Sequence, residues 1–132
     1  MIQVLEILGI AAGVTLAAWG LFHQLIVGAA ATMFKEMSEK EARLFVMTWV
    51  AQGAFMSFTG ILAAVLLFFY GLQAGPVQIT LLLTGLAMLL LSGHVFVTGY
   101  KSHVGPIRTG AVLELIFGIV CLVSVFVSNP VI

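Results

Sequence analysis

The fold is decided by residues 44–100, LFVMTWVAQGAFMSFTGILAAVLLFFYGLQAGPVQITLLLTGLAMLLLSGHVFVTGY, which contain no Asp, Glu, Lys or Arg. A membrane-spanning helix needs about 20 mostly apolar residues. The stretch is therefore too long for one span and long enough for two. A turn-rich segment, residues 71–78 (GLQAGPVQ), interrupts it. We predict a helix on each side of this segment, with Pro76 in the first turn of the second helix, where a missing N–H costs nothing.

Two further apolar runs flank that stretch. One lies before residue 34, and the other follows residues 100–108 (YKSHVGPIR), in which Pro106 resembles Pro76. The predicted spans are residues 3–33, 45–70, 78–99 and 108–128, within a single transmembrane domain covering 1–132. The predicted fold class is all-α: an integral membrane, four-transmembrane-helix bundle of up-down-up-down order.

The composition supports a membrane protein. Hydrophobic residues make up 62% of the chain and charged residues 8%, whereas a soluble domain carries about 25% charged residues. So few charges cannot cover a water-soluble surface, so the lipid bilayer is the expected partner. The composition excludes a soluble enzyme domain and a disordered chain, and the lack of a basic patch excludes a nucleic-acid partner. A lone cysteine, Cys121, excludes an intrachain disulfide.

The positive charges predict the orientation. All five Lys and Arg lie in residues 34–44 and 100–108, two connections that four spans would place on the same side. The positive-inside rule puts these connections in the cytoplasm and both termini outside, in a cell (inner) membrane. The first apolar run is predicted to be a retained span and not a signal peptide. Ser38 followed by Glu41 predicts a capping box at the start of the second helix.

Small and polar residues share one face of the first helix. Eight of them fall within about 100° of arc: Glu6, Gly9, Gly13, Ala17, Gly20, Gln24, Gly28 and Ala31. Small residues allow close approach where no hydrophobic effect drives helices together. We predict helix packing through Gly9, Gly13, Gly20 and Gly28, either within the chain or in a homo-oligomer formed through helix one.

Every predicted helix contributes polar side chains to one zone in the cytoplasmic half. These residues are His23, Gln24, Gln52, His94 and Glu114. Ionisable groups within a membrane mark functional sites by default. The pattern predicts a pocket, open toward the cytoplasm, that binds or conducts a small ligand, ion or proton. Glu114 and His94 are its expected titrating pair, on adjacent helices and within reach directly or through one water.

Other functions fit the same residues. A b-type haem held by His23 and His94 is one, although their estimated depths differ by roughly 6 Å. A metal site could draw on His23, His94, His103 and Glu114, although no local ligand spacing supports it. No catalytic residue is predicted and no nucleotide, metalloprotease or hydrolase motif is present, which favours a non-enzyme. An accessory or structural membrane subunit without a ligand is the remaining alternative. The pattern of four short spans with inward-facing His and Glu resembles small bacterial membrane families, the DoxX-like family among them. No residue role is transferred from that resemblance.

Overall fold

The computed structural model describes residues 1–32, 37–99 and 104–128, and these form helices joined by short connections. The helices are α1 (Ile2–Leu25), α2 (Val27–Thr32), α3 (Glu39–Tyr70), α4 (Gly75–Thr98) and α5 (Gly105–Ser128). Four of them, α1, α3, α4 and α5, are long and apolar enough to cross a membrane. The all-α fold is confirmed, and these four helices indicate a multi-pass membrane protein.

The predicted helix starts are found. Ser38 precedes α3, and its hydroxyl accepts a hydrogen bond from the Glu41 backbone N–H at 3.3 Å. The Ser38 backbone N–H in turn donates to the Glu41 carboxylate at 2.8 Å, which completes the capping box. Pro76 lies in the first turn of α4. The charged segment therefore begins a helix that continues directly into the apolar run.

The first predicted span is wrong in its length. Residues 3–33 were expected to form one helix, but α1 ends at Leu25 and Ile26 adopts φ −87° and ψ 4° before the short α2 begins. The 24 residues of α1 extend about 36 Å, already more than the roughly 30 Å of a hydrocarbon core. The membrane therefore does not require the helix to continue. Residue 33 lies outside the described residues.

Glycines bring α1 and α3 into backbone contact. A Cβ on Gly20 would lie 2.5 Å from the Gly53 carbonyl oxygen, and one on Gly13 would lie 2.6 Å from that of Gly60. The residue numbers run in opposite directions, so the two helices are antiparallel. Each pair is one heptad from the next, the repeat that keeps one seam facing its partner along two helices.

The four glycines of the predicted packing face lie in two different environments. Gly9, Gly13 and Gly20 are buried against α3 of the same chain. Gly28 is exposed, and a Cβ there would meet nothing within 4 Å. It follows the break at Ile26 and lies in α2, so it no longer continues the helical phase of α1. An oligomer formed through helix one would have to use a different face of it.

Helices α4 and α5 form a second close pair. Gly85 lies against Cys121 and Gly118, and the Ser92 hydroxyl donates to the Ala111 carbonyl at 2.7 Å. Helix α5 also packs on α1, whereas α3 and α4 contact each other much less than α1 contacts α3. The seam between α3 and α4 is therefore the open side of the bundle.

One carboxylate fixes the short connection between α3 and α4. Glu6 of α1 accepts a hydrogen bond from the Leu72 backbone N–H at 2.8 Å. The neighbouring Gly71 has φ +70°, a conformation that glycine adopts without a Cβ clash. This contact joins α1 to the turn at one end of the α3–α4 seam.

Candidate functional site

Glu114 lies at the centre of the bundle. Its side chain is 0% exposed, and its Oε1 accepts a hydrogen bond from Gln52 Nε2 at 3.1 Å. This bond crosses the interior from α3 to α5. The other carboxylate oxygen, Oε2, is buried and has no hydrogen-bond partner among the described residues. One carboxylate oxygen of Glu114 is thus held by a hydrogen bond, and the other can still accept one.

A cleft of about 270 Å³ opens on the α3–α4 seam. Gln52 and His94 line it together with hydroxyl, aromatic and aliphatic groups: Phe45, Thr48, Trp49, Leu91, Val95, Thr98, Gly99 and Ile107. It lies toward the start of α3 and the end of α4, the end that the charge pattern predicts to be cytoplasmic. Gln52 therefore belongs both to the cleft and, through its hydrogen bond, to Glu114.

The two members of the predicted titrating pair differ in burial. Glu114 is fully buried, whereas His94 is exposed and its ring makes no hydrogen bond to any described residue. The cleft keeps α3 and α4 apart, and Gln52 occupies the cleft wall on the Glu114 side. A direct Glu114–His94 contact is therefore not seen.

His23 is buried, although it is not one of the residues of the small-residue face of helix one. It is 1% exposed, and its ring stacks on Trp49 with centroids 4.0 Å apart and an interplanar angle of 5°. The Trp49 indole N–H donates to the His23 carbonyl oxygen at 2.6 Å. Both ring nitrogens of His23 are buried and make no hydrogen bond within residues 1–32, 37–99 and 104–128.

Gln24 belongs to the α1–α3 seam and not to the cleft. Its Nε2 donates to the Gly20 carbonyl at 3.3 Å and lies 3.5 Å from the Ser57 hydroxyl. Ser57 in turn donates to the Ala17 carbonyl at 3.2 Å. These contacts are typical of polar groups that hold neighbouring membrane helices together.

Sequence reasoning missed the two tryptophans as members of the site. Trp49 is 4% exposed and contacts both His23 and the cleft. Trp19 is half-buried, with its indole nitrogen buried against α5. The available signal was spacing: Trp19 and His23 are four residues apart and so share one face of α1.

The haem and metal alternatives have different geometric requirements. His23 is not among the residues that line the cleft on which His94 lies. Over residues 1–32, 37–99 and 104–128, no three His, Cys, Asp or Glu side chains are grouped as metal ligands. His103, a candidate ligand, lies outside these residues.

Compared with known proteins, the chain matches no family model, no curated protein and no solved structure. Its class therefore rests on the four long apolar helices, which indicate a multi-pass membrane protein. Its site rests on the arrangement of Glu114, Gln52 and the cleft.

Proposed function

We propose that the chain is a small multi-pass protein of the cell (inner) membrane, inserted as an up-down-up-down bundle with both termini outside. The distribution of Lys and Arg supports this orientation, since all five lie in residues 34–44 and 100–108. The antiparallel α1–α3 contact is consistent with it. In this arrangement the cleft between α3 and α4 opens toward the cytoplasm.

We further propose that this pocket binds or conducts a small ligand, ion or proton. The observation that carries the proposal is the double position of Gln52, on the cleft wall and hydrogen-bonded to buried Glu114. A glutamine amide has two N–H donors and one acceptor oxygen. One donor holds Glu114, so the other groups remain for a ligand in the cleft. A ligand that turns this amide changes the hydrogen bonding of Glu114, and the charge state of Glu114 changes affinity in the cleft.

Proton movement is the most direct test of this coupling. The purified protein is reconstituted into liposomes that contain a pH-sensitive dye, and a potassium gradient with valinomycin sets the membrane potential. We expect wild-type liposomes to take up protons faster than empty ones. Glu114→Gln, which keeps shape and hydrogen bonding but removes the acid, should reduce uptake to the empty-liposome rate. Glu39→Gln is the matched control, because Glu39 is exposed and pairs with Arg43.

The competing function is an accessory or structural subunit without a ligand. It is favoured by the same Gln52–Glu114 bond, since a bond from α3 to α5 also fixes packing. This function predicts that wild-type and empty liposomes take up protons equally. It also predicts that Glu114→Gln and Glu114→Leu both complement a deletion strain as well as the wild type does. A Soret band in the visible spectrum of the purified protein would instead establish the haem alternative.

A further inference from the structure

Three side chains of α1 and α5 hold buried polar atoms that have no hydrogen-bond partner among the described residues. These atoms are the Trp19 indole nitrogen, both ring nitrogens of His23 and Glu114 Oε2. Glu114 and His23 are 0% and 1% exposed. None of the three side chains lines the cleft between α3 and α4. Because buried polar groups in folded proteins are almost always hydrogen-bonded, such a set requires a further partner.

Gly110 lies beside one of these atoms, the Trp19 indole nitrogen, and its lack of a Cβ keeps that nitrogen free of a close carbon contact. A Cβ built on Gly110 would lie 3.3 Å from the Trp19 indole nitrogen, with its next neighbours, among them Met56 Cε, at 3.9 Å. Glu114 is one turn further along α5 on the same face. Helical side chains lean toward the N-terminus of their helix. The Glu114 carboxylate therefore leans back toward the turn that contains Gly110, on the side where Trp19 lies.

The chemistry of these groups restricts what can bind there. An indole nitrogen only donates a hydrogen bond, and an ionised carboxylate only accepts. A metal or ammonium cation offers Trp19 no acceptor, and an anion would be repelled by ionised Glu114. A water molecule accepts from Trp19 and donates to Glu114, and it can also accept from Glu114 when the acid is protonated. A bound water usually has two to four polar partners, and His23, one turn along α1 from Trp19, can supply another.

We infer that a water molecule, or a hydroxyl group of equivalent chemistry, binds beside Gly110 and bridges Trp19 to Glu114. It gives Glu114 Oε2 a hydrogen-bond partner on the α1 side, while Gln52 holds Oε1 on the cleft side. The acid is then solvated within the bundle and has a neighbour that can give or receive its proton. This inference concerns hydration of the interface and does not depend on the proposed function of the cleft.

The two tryptophans of the chain provide an internal comparison for the test. The protein is labelled with ¹⁵N at the indole nitrogens, and magnetisation transfer from water is measured by NMR in detergent micelles. Trp19→Phe assigns the two signals. We expect the Trp19 N–H to show a cross-peak to water. The Trp49 N–H should show none, since it donates to the His23 carbonyl. Absence of the Trp19 cross-peak, or equal cross-peaks from both indoles, would overturn the inference.

A pair of glycine substitutions on α5 locates the water. Gly110→Ala places a methyl group 3.3 Å from the Trp19 indole nitrogen and should abolish the Trp19 cross-peak. Gly105→Ala is the matched control, because a Cβ there meets nothing within 4 Å, and it should leave the cross-peak unchanged. An unchanged Trp49 signal shows that each variant is folded. A Trp19 cross-peak that survives Gly110→Ala at full intensity would contradict the proposed position. The liposome assay does not enter this comparison, so failure of either proposal is recognised separately.

Discussion

The two seams that α3 makes with its neighbours differ in closeness and in chemistry. Against α1, glycines of both helices meet backbone to backbone, as at Gly20 and Gly53. Against α4, the same helix presents Thr48, Trp49 and Gln52, and a cleft of about 270 Å³ remains. Packing and not the hydrophobic effect drives helix association in lipid. The comparison shows that small residues on one face of a helix close a seam, while larger polar and aromatic residues on another face leave room for a site.

The largest expected effect comes from filling the closed seam. Gly20→Leu would place a side chain where even a Cβ meets the Gly53 carbonyl and Ser57 within 3 Å. Backbone cannot move aside as a flexible side chain can, so we expect destabilisation at or above the upper end of the usual 1–3 kcal/mol for overpacking. Thermal unfolding in detergent measures it. Gly28→Leu is the control and should leave the midpoint unchanged; equal behaviour of the two variants would show that the seam is not as close as described.

A smaller loss of stability is expected from changing Trp49, which contacts α1 on one side and the cleft on the other. Trp49→Phe retains an aromatic ring beside His23 but removes the indole N–H that donates to the His23 carbonyl. We expect a loss of about 1–3 kcal/mol, because a buried carbonyl is left without its partner. Unfolding of the variant in detergent checks this. Trp49→Ala should cost more, since it also removes the stacked ring, and a smaller loss for Ala than for Phe would contradict the assigned contacts.

Replacing the central acid should change stability less than function. Glu114→Leu removes the buried carboxyl and its bond to Gln52, but leucine packs well and Gln52 can turn toward the cleft. We expect a stability change within about 1–2 kcal/mol in either direction, because buried polar pairs often contribute little net stability. Proton uptake should nevertheless be lost. Strong destabilisation with uptake retained would show that Glu114 is structural.

Cysteine labelling tests whether a water-soluble reagent reaches the cleft, and the substitutions it needs should change stability little. Thr98→Cys lies in the cleft, whereas Thr15→Cys is exposed on α1 away from it. A water-soluble thiol reagent should modify the cysteine in the cleft and not the one on α1, and buried native Cys121 should stay unmodified.

The orientation of the helices is tested by labelling in intact cells. Ser38→Cys and Gln73→Cys should show opposite accessibility, with Ser38 reached from the cytoplasm. Labelling of both from one side would disprove the four-span orientation.

The sequence predicted those features that depend on one helix at a time. Hydropathy and proline positions located the four long helices, and local spacing located the Ser38–Glu41 capping box. The glycine face of α1 was found for the same reason, since helical period alone places Gly13 and Gly20 together. The partner of that face, α3 of the same chain, did not follow from the period.

The site depended on features that a single helix does not determine. Residue numbering estimates depth along a helix and predicted Gln52 and Glu114 in one zone, and the structure joins these two side chains by a hydrogen bond. It does not fix the rotation of a helix against its neighbours, which buries His23 and leaves His94 exposed on the cleft. The break at Ile26 was missed because neither a proline nor a charged residue marks it.

The Glu6–Leu72 contact fixes the α3–α4 seam at one of its two ends. The hydrogen bond holds the α3–α4 turn to α1 at 2.8 Å, so the seam is anchored at the end opposite the cleft. His94 lies about 28 Å along α4 from its first residue, Gly75. A tilt of only about 5° about the anchored turn therefore displaces the cleft wall by about 2–3 Å over that length. Such a tilt would widen the cleft at its own end and leave the anchored turn in place, and Glu6 itself lies outside the cleft.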